Sequence, residues 1–279
     1  MRQPADTIAL RSGDTLLEVS PTTGGSITRY ATTHANRVYE WMRPATEAAI
    51  AEGSAGQTAS FPMVPFSNRI RNGRFTFNGR HVQLTELFGR EPHAIHGHGW
   101  RAPWSVVDRA ADTLTLEYHH AADSWPWAYR AEQTFELRDT VLIVRFAVTN
   151  EATDTMPIGF GLHPYFVRTP NVRLNAKIGE MWRTNDNGLP AELVPPPAQL
   201  AFGAAGLDPD ASVLDNNFLN FGGEYRIAWP EWPASLRVQA DPIYSCLVIY
   251  TPRGQDFFCA EPATNCIDAI IVVTSWPPC

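Results

Sequence analysis

Alternation with a period of two runs through most of this chain, and it narrows the possible folds more than any other feature. Side chains on a strand point to opposite faces in turn, so a half-buried strand alternates apolar and polar residues. The segments 74–84 (RFTFNGRHVQL), 113–120, 129–137, 141–150, 235–240 and 246–252 read as strands. In the first of these, Asn78-Gly79 separates two alternating halves. That predicts a hairpin whose turn residues both take positive φ. Clusters of Gly, Pro, Asp and Asn divide the runs at short intervals. Only 44–53 (PATEAAIAEG) reads as helix. Many strands with few short helices make the chain all-β, an antiparallel sandwich or barrel.

A chain of 279 residues can bury a large core, and a single domain over 1–279 is expected. Charged residues make up only 18% and apolar ones 44%, which excludes a disordered chain. The net charge is -7 and there is no basic run, so nucleic acid is not an expected partner. The first residues lack an apolar signal core, and the longest apolar run, AIIVV, is far too short for a membrane span. A cytoplasmic location without a membrane partner is therefore expected. Cysteines 246, 259, 266 and 279 form no CxxC pair and read as free thiols, with Cys246 and Cys259 in the core. Residues 193–212, rich in Pro, Ala and Gly, read as a long surface loop. Trp100, Trp104, Trp125 and Trp127 read mostly as core, with one or two possible sugar platforms.

Ionisable residues stand in several otherwise apolar stretches. Arg69 ends FPMVPFSNRI, His163 lies in IGFGLHPYF, Asp215 in VLDNNFLNF and Glu261 in FFCAEPAT. A buried carboxylate is costly without a partner, so Asp215 and Glu261 each call for one. Arg69 would pair with such a carboxylate or fork onto a polar ligand. His96 and His98 in AIHGHGW would share a face if that stretch is extended. Three readings stay open for them: an HxH metal pair completed by His163 or Glu261, an acid–base site, or local hydrogen bonding. His93 reads as a loop histidine. Arg71, Arg74 and Arg101 read as surface residues.

In order along the chain, SNRIRNGRFTFNG, AIHGHGW, GFGLHPYF, LDNNF and the EP of FFCAEPAT resemble the motifs of the aldose 1-epimerase (galactose mutarotase-like) family. The resemblance runs from about residue 12 to about residue 268 and is closest to the family's divergent branch. It implies a large antiparallel β-sandwich with a site on the concave face of one sheet. Carried over, Glu261 resembles the general base, His163 the general acid and His96 a second active-site histidine. Arg69 and Asp215, with Asn68 beside Arg69, resemble residues that hold sugar hydroxyls. His98 is outside the pattern and reads as a neighbour that shapes the pocket or the strand. The implied activity is exchange of the α and β anomers of an aldohexose or a derivative, a 6-phosphate among the possibilities. No metal or other cofactor is implied, and the chain would be a monomer or homodimer. The resemblance also implies a further strand after the glutamate motif. Here the chain ends 18 residues after Glu261 with a tail that does not match, so truncation or a reading-frame change is one reading. The competing function is a carbohydrate-binding β-sandwich protein without catalysis.

Overall fold

The computed structural model describes residues 7–85, 92–200 and 202–272. Its frame is an 11-stranded antiparallel sheet. Five adjacent strands of that sheet carry the candidate site: Ser60–Met63, Gly161–Val167, Phe257–Ala263, Cys246–Tyr250 and Asp215–Phe218. A four-stranded sheet spans Ser105–Arg109, Thr113–His120, Tyr129–Arg138 and Val141–Asn150. A three-stranded sheet holds Arg173–Ala176, Glu224–Ala228 and Ser235–Gln239. These two smaller sheets cover one face of the large one, which makes the expected sandwich. Leu17, Ile27 and Phe258 of the large sheet share one apolar cluster with Leu114, Phe135 and Ile227 of the smaller two. Hydrogen bonds tie the layers: the Tyr30 hydroxyl to Thr140 O, the Gln133 amide to Gly25 O and the Tyr225 hydroxyl to Ala260 O. Each fixes a polar group that burial would otherwise leave unsatisfied.

Period two sorts the central strands between two environments. On Gly161–Val167, Phe166 enters the main core, while Tyr165 joins a second cluster with Phe61, Met63, Trp100 and Cys259. On Phe257–Ala263, Phe258 and Ala260 face the core, and Phe257 and Cys259 face the second cluster. The second cluster is the floor of the candidate site. A cavity of about 930 Å³ opens on the opposite face, lined by Tyr30, Trp41, Phe146, Leu162, Phe166 and Tyr225. The alternation keeps His163 and Glu261 out of it.

Local expectations can be checked one by one. Arg74–Phe77 pairs with Arg80–Gln83, and Asn78 and Gly79 have φ of 47° and 78°. The helix runs over Glu47–Glu52, capped by the Thr46 side chain and ended by Gly53 at φ 68°. The loop reading of 193–212 needs correction. The strand Pro190–Val194 enters it, and Leu200, Phe202 and Leu207 are buried in the main core. Trp100, Trp104, Trp125 and Trp127 are buried, as are Cys246, Cys259 and Cys266, the first two as free thiols. Cys279 lies outside the described residues. Ala269–Val272 is a short helix at the start of the AIIVV run, and 273–279 lie outside the described residues. Among the described residues, no helix is long and apolar enough to cross a membrane.

Candidate functional site

Two rows of side chains cross the large sheet. Gly161 pairs with Ala263 and Tyr165 with Cys259, so His163 and Glu261 lie opposite each other between them. His163 also pairs with Phe61, and Glu261 with Val248. The neighbouring row is Tyr165, Cys259, Tyr250 and Asp215. His163 Nε2 is 3.3 Å from Glu261 Oε1. Both residues are buried, and His163 Nδ1 and Glu261 Oε2 have no hydrogen-bond partner among the described residues.

Burial acts on the two groups in opposite directions, because it disfavours whichever form is charged. Glu261 is pushed well above the usual carboxylate range by desolvation, helped by the nearby Asp215 charge and opposed by Arg69. His163 is pushed down to about 3, mainly by desolvation; its own backbone opposes this and the Arg43 charge adds to it. Burial therefore favours the pair with one proton, on the carboxyl group, over the charged carboxylate–imidazolium pair.

His96 reaches the same floor from the loop after Ala94–Ile95. Its ring stands perpendicular to that of His163, with centroids 5.2 Å apart. The Asn68 backbone N–H donates to His96 Nδ1 at 3.1 Å, which assigns the remaining proton to Nε2. Desolvation, with His163, Arg69 and Arg101 nearby, holds His96 well below its ordinary range. His96 is thus a neutral N–H donor. Asn68 supports it from behind, and its side-chain oxygen accepts from the Arg69 N–H at 2.8 Å.

The premise that His96 and His98 share a face is wrong. His96 and Gly97 take φ of 59° and 66°, so the stretch turns instead of extending. His98 faces the four-stranded sheet, where Tyr129 Oη is 2.7 Å from its Nε2 and its ring stacks on His120 at 4.1 Å. That divergence removes the HxH metal pair. The glycine after His96 has a steric cause. A Cβ on Gly97 would lie 2.2 Å from Val64 O, and one on Gly99 2.3 Å from Val64 Cγ1. The chain must pass this close because His98 N and Gly99 N both donate to Val64 O at 3.1 Å.

Arg69 comes from the short strand Arg69–Ile70, paired with Ala94–Ile95. Its Nη1 is 3.4 Å from Asp215 Oδ2. Asp215 was expected to be buried, but its side chain is 43% exposed at the rim, which leaves it room to accept from a ligand. The segment just past Glu261 holds Arg69 in place. Asn265 brackets Ser67 with three hydrogen bonds, the Asp268 N–H donates to Arg69 O, and the buried Asp268 carboxylate binds Arg71. His93 lies in a loop as expected but is buried, with Nδ1 accepting from the Asn72 N–H. Arg71, Arg74 and Arg101 are exposed.

Two buried proton-transfer groups in contact, a neutral imidazole donor and an arginine–carboxylate rim form one polar site on an all-β sandwich. A sequence model of the aldose 1-epimerases matches residues 6–272. The chain belongs to the aldose 1-epimerase family. It is 33% identical over 224 residues to YphB, an uncharacterized protein of Escherichia coli, covering 77% of this chain and 76% of that one. The crystal structure of a candidate aldose 1-epimerase from Escherichia coli K12 matches with a TM-score of 0.85 and 30% identity, over 94% of this chain and 89% of that chain. A galactose mutarotase-like protein from Clostridium acetobutylicum matches with a TM-score of 0.86 at 17% identity, over 96% and 87% of the two chains, and shares the fold.

Some residues of this candidate site were not read from the sequence. Tyr165 and Cys259 face the floor because each stands two residues from an expected site residue, and period two would have found them. Phe61 and Arg43 come from distant segments, and nothing local marks them. His163, Cys259 and Glu261 are the set among the described residues able to hold a metal ion, their ligand atoms lying within 4.8 Å of one another. Burial keeps the Cys259 thiol protonated, so a metal there would have to displace that proton.

Proposed function

We propose that this protein is a mutarotase that exchanges the anomers of an aldohexose or a derivative. The observation that carries the reading is the facing pair of Glu261 and His163, 3.3 Å apart on a buried floor beside His96 and Arg69. Ring opening needs a base at the C1 hydroxyl and an acid at the ring oxygen. With sugar bound, Glu261 as carboxylate takes the O1 proton while His163 as imidazolium gives its proton to O5. The C1–O5 bond breaks and the C1=O1 double bond forms. Rotation about C1–C2 then lets the ring close on the other face with the roles reversed. After opening, the proton sits on Glu261 and His163 is neutral. That is also the state burial favours in the empty site, so the pocket suits the open aldehyde. Neutral His96 donates from Nε2 to a sugar oxygen. Arg69 and Asp215 hold hydroxyls at the rim.

The test is anomer exchange by NMR magnetisation transfer with glucose, galactose and glucose 6-phosphate. The expected result is acceleration over buffer for at least one sugar, with the rate in Glu261→Gln down by about 10²–10⁴-fold while sugar still binds. An unchanged rate in that variant refutes the mechanism. Sugar binding without acceleration in the wild type would make the protein a carbohydrate-binding sandwich instead.

A further inference from the structure

A histidine that moves protons is usually held in orientation by a hydrogen bond to its other ring nitrogen. His163 lacks that device, since Nδ1 is buried without a partner among the described residues. Its ring is instead held in an aromatic cluster. Tyr165 lies beside it, with centroids 4.6 Å apart and planes at 27°. Phe61 stacks near it at 4.5 Å and 25°, and the Phe61 and Tyr165 centroids are themselves 6.1 Å apart, so the two flank His163 on adjacent sides. The stack continues from Phe61 to Trp100 at 4.9 Å and 23°. Arginines cap both ends, with Arg43 4.0 Å from the Tyr165 centroid and Arg101 4.8 Å from that of Trp100. Offset stacking of this kind resists rotation of each ring out of plane.

Trp100 does a second thing. Its indole N–H donates to Gly97 O at 3.0 Å. That carbonyl belongs to the residue after His96, inside the left-handed turn that presents the imidazole. One side chain therefore touches the supports of both histidines, and its ring also meets that of His96 edge-on, with centroids 6.4 Å apart.

Resting on the mutarotase reading, we propose that Trp100 is a positioning residue for both histidines. Through Phe61 it fixes the plane of His163, and through Gly97 O it fixes the turn that carries His96. Its two attachments are chemically separable. Trp100→Phe keeps the stack and loses the indole hydrogen bond. Trp100→Leu loses both.

The experiment pairs anomer-exchange kinetics with ¹⁵N-histidine NMR of the sugar-free protein. Trp100→Leu is expected to lower kcat about 10- to 100-fold with little change in KM, the signature of misplaced reacting groups. The ring signals of both His163 and His96 are expected to move. In Trp100→Phe the His163 signals return to wild-type positions and the His96 signals stay displaced. A folded Trp100→Leu protein with wild-type histidine signals overturns the proposal, and so does a loss confined to KM. If Trp100→Leu does not fold, Trp100→Phe decides, and unmoved His96 signals in it are fatal. A wild-type protein without exchange activity would sink the mutarotase reading, while the histidine signals would still test the positioning.

Discussion

Replacing Glu261 with Gln should make the folded protein more stable as pH rises. Glu261 is buried, and desolvation raises it well above its ordinary value of 4.5. Below pH 4.5 the carboxyl is protonated in both the folded and the unfolded chain. Above that, the unfolded chain loses the proton and the folded one keeps it. Folded wild type then loses about 1.4 kcal/mol per pH unit, until the folded group itself ionises. Two pH units amount to about 2.7 kcal/mol, a large share of the 5–15 kcal/mol that holds a typical domain together. Glutamine has nearly the same shape and no proton to lose, so this slope vanishes in the variant. Urea unfolding, followed by tryptophan fluorescence at a series of pH values from 4.5 to about 8, measures both curves. The gap between variant and wild type should widen with pH, and titrating groups that do not interact with Glu261 cancel in the difference. Parallel curves would refute a neutral buried Glu261, and with it the one-proton pair.

His163 should show the mirror image. Burial lowers it from 6.5 to about 3, so its contribution is complete above pH 6.5 and is lost as pH falls toward 3. His163→Gln should therefore gain on wild type below pH 6.5, by up to about 1.4 kcal/mol per pH unit in the same unfolding assay. Gly97→Ala forces a Cβ to 2.2 Å from a backbone oxygen at positive φ, and should cost about 3 kcal/mol or more. Gly79→Ala also has positive φ but meets nothing within 4 Å; about 1 kcal/mol is expected by thermal unfolding, with anomer exchange unchanged. Asn265→Ala strips the bracket around Ser67, and should cost about 2–3 kcal/mol and raise KM through a loosened Arg69. An unaltered KM in a folded Asn265→Ala protein would show that Arg69 does not need that bracket.

Much of the fold was legible because strands advertise themselves locally. The Asn78-Gly79 turn, the short helix within 44–53 and the alternation in 113–120 and 129–137 each depend on neighbours in sequence. The site residues stood out because charge in apolar surroundings is costly and has to be accounted for. What stayed hidden depends on distance or on backbone sign. The parting of His96 and His98 comes from two successive left-handed residues, and Val64, the cause of it, lies over thirty positions away. The burial of Leu200 and Phe202 follows from tertiary packing that a Pro- and Gly-rich composition conceals. Asp215 looked buried because its flanks are apolar, yet it sits at the cleft rim where one face of the strand meets solvent.

The place of Phe257–Ala263 in the sheet has a consequence for how such a molecule is made. This late strand lies between Gly161–Val167 and Cys246–Tyr250 and joins two halves built from earlier parts of the chain. During synthesis each half carries an unpaired inner edge until residue 263 has emerged. Such edges invite pairing with other chains, so the nascent protein is prone to aggregate until this strand has emerged. The Ser67–Asn265 bracket closes a loop of 198 residues, and contacts of that span form late because chain entropy must be overcome first. Arg69 and Glu261 are thus set together, once residues 261–268 have emerged. Anomer exchange would then count only molecules in which this strand is in place, blind to every intermediate that lacks it.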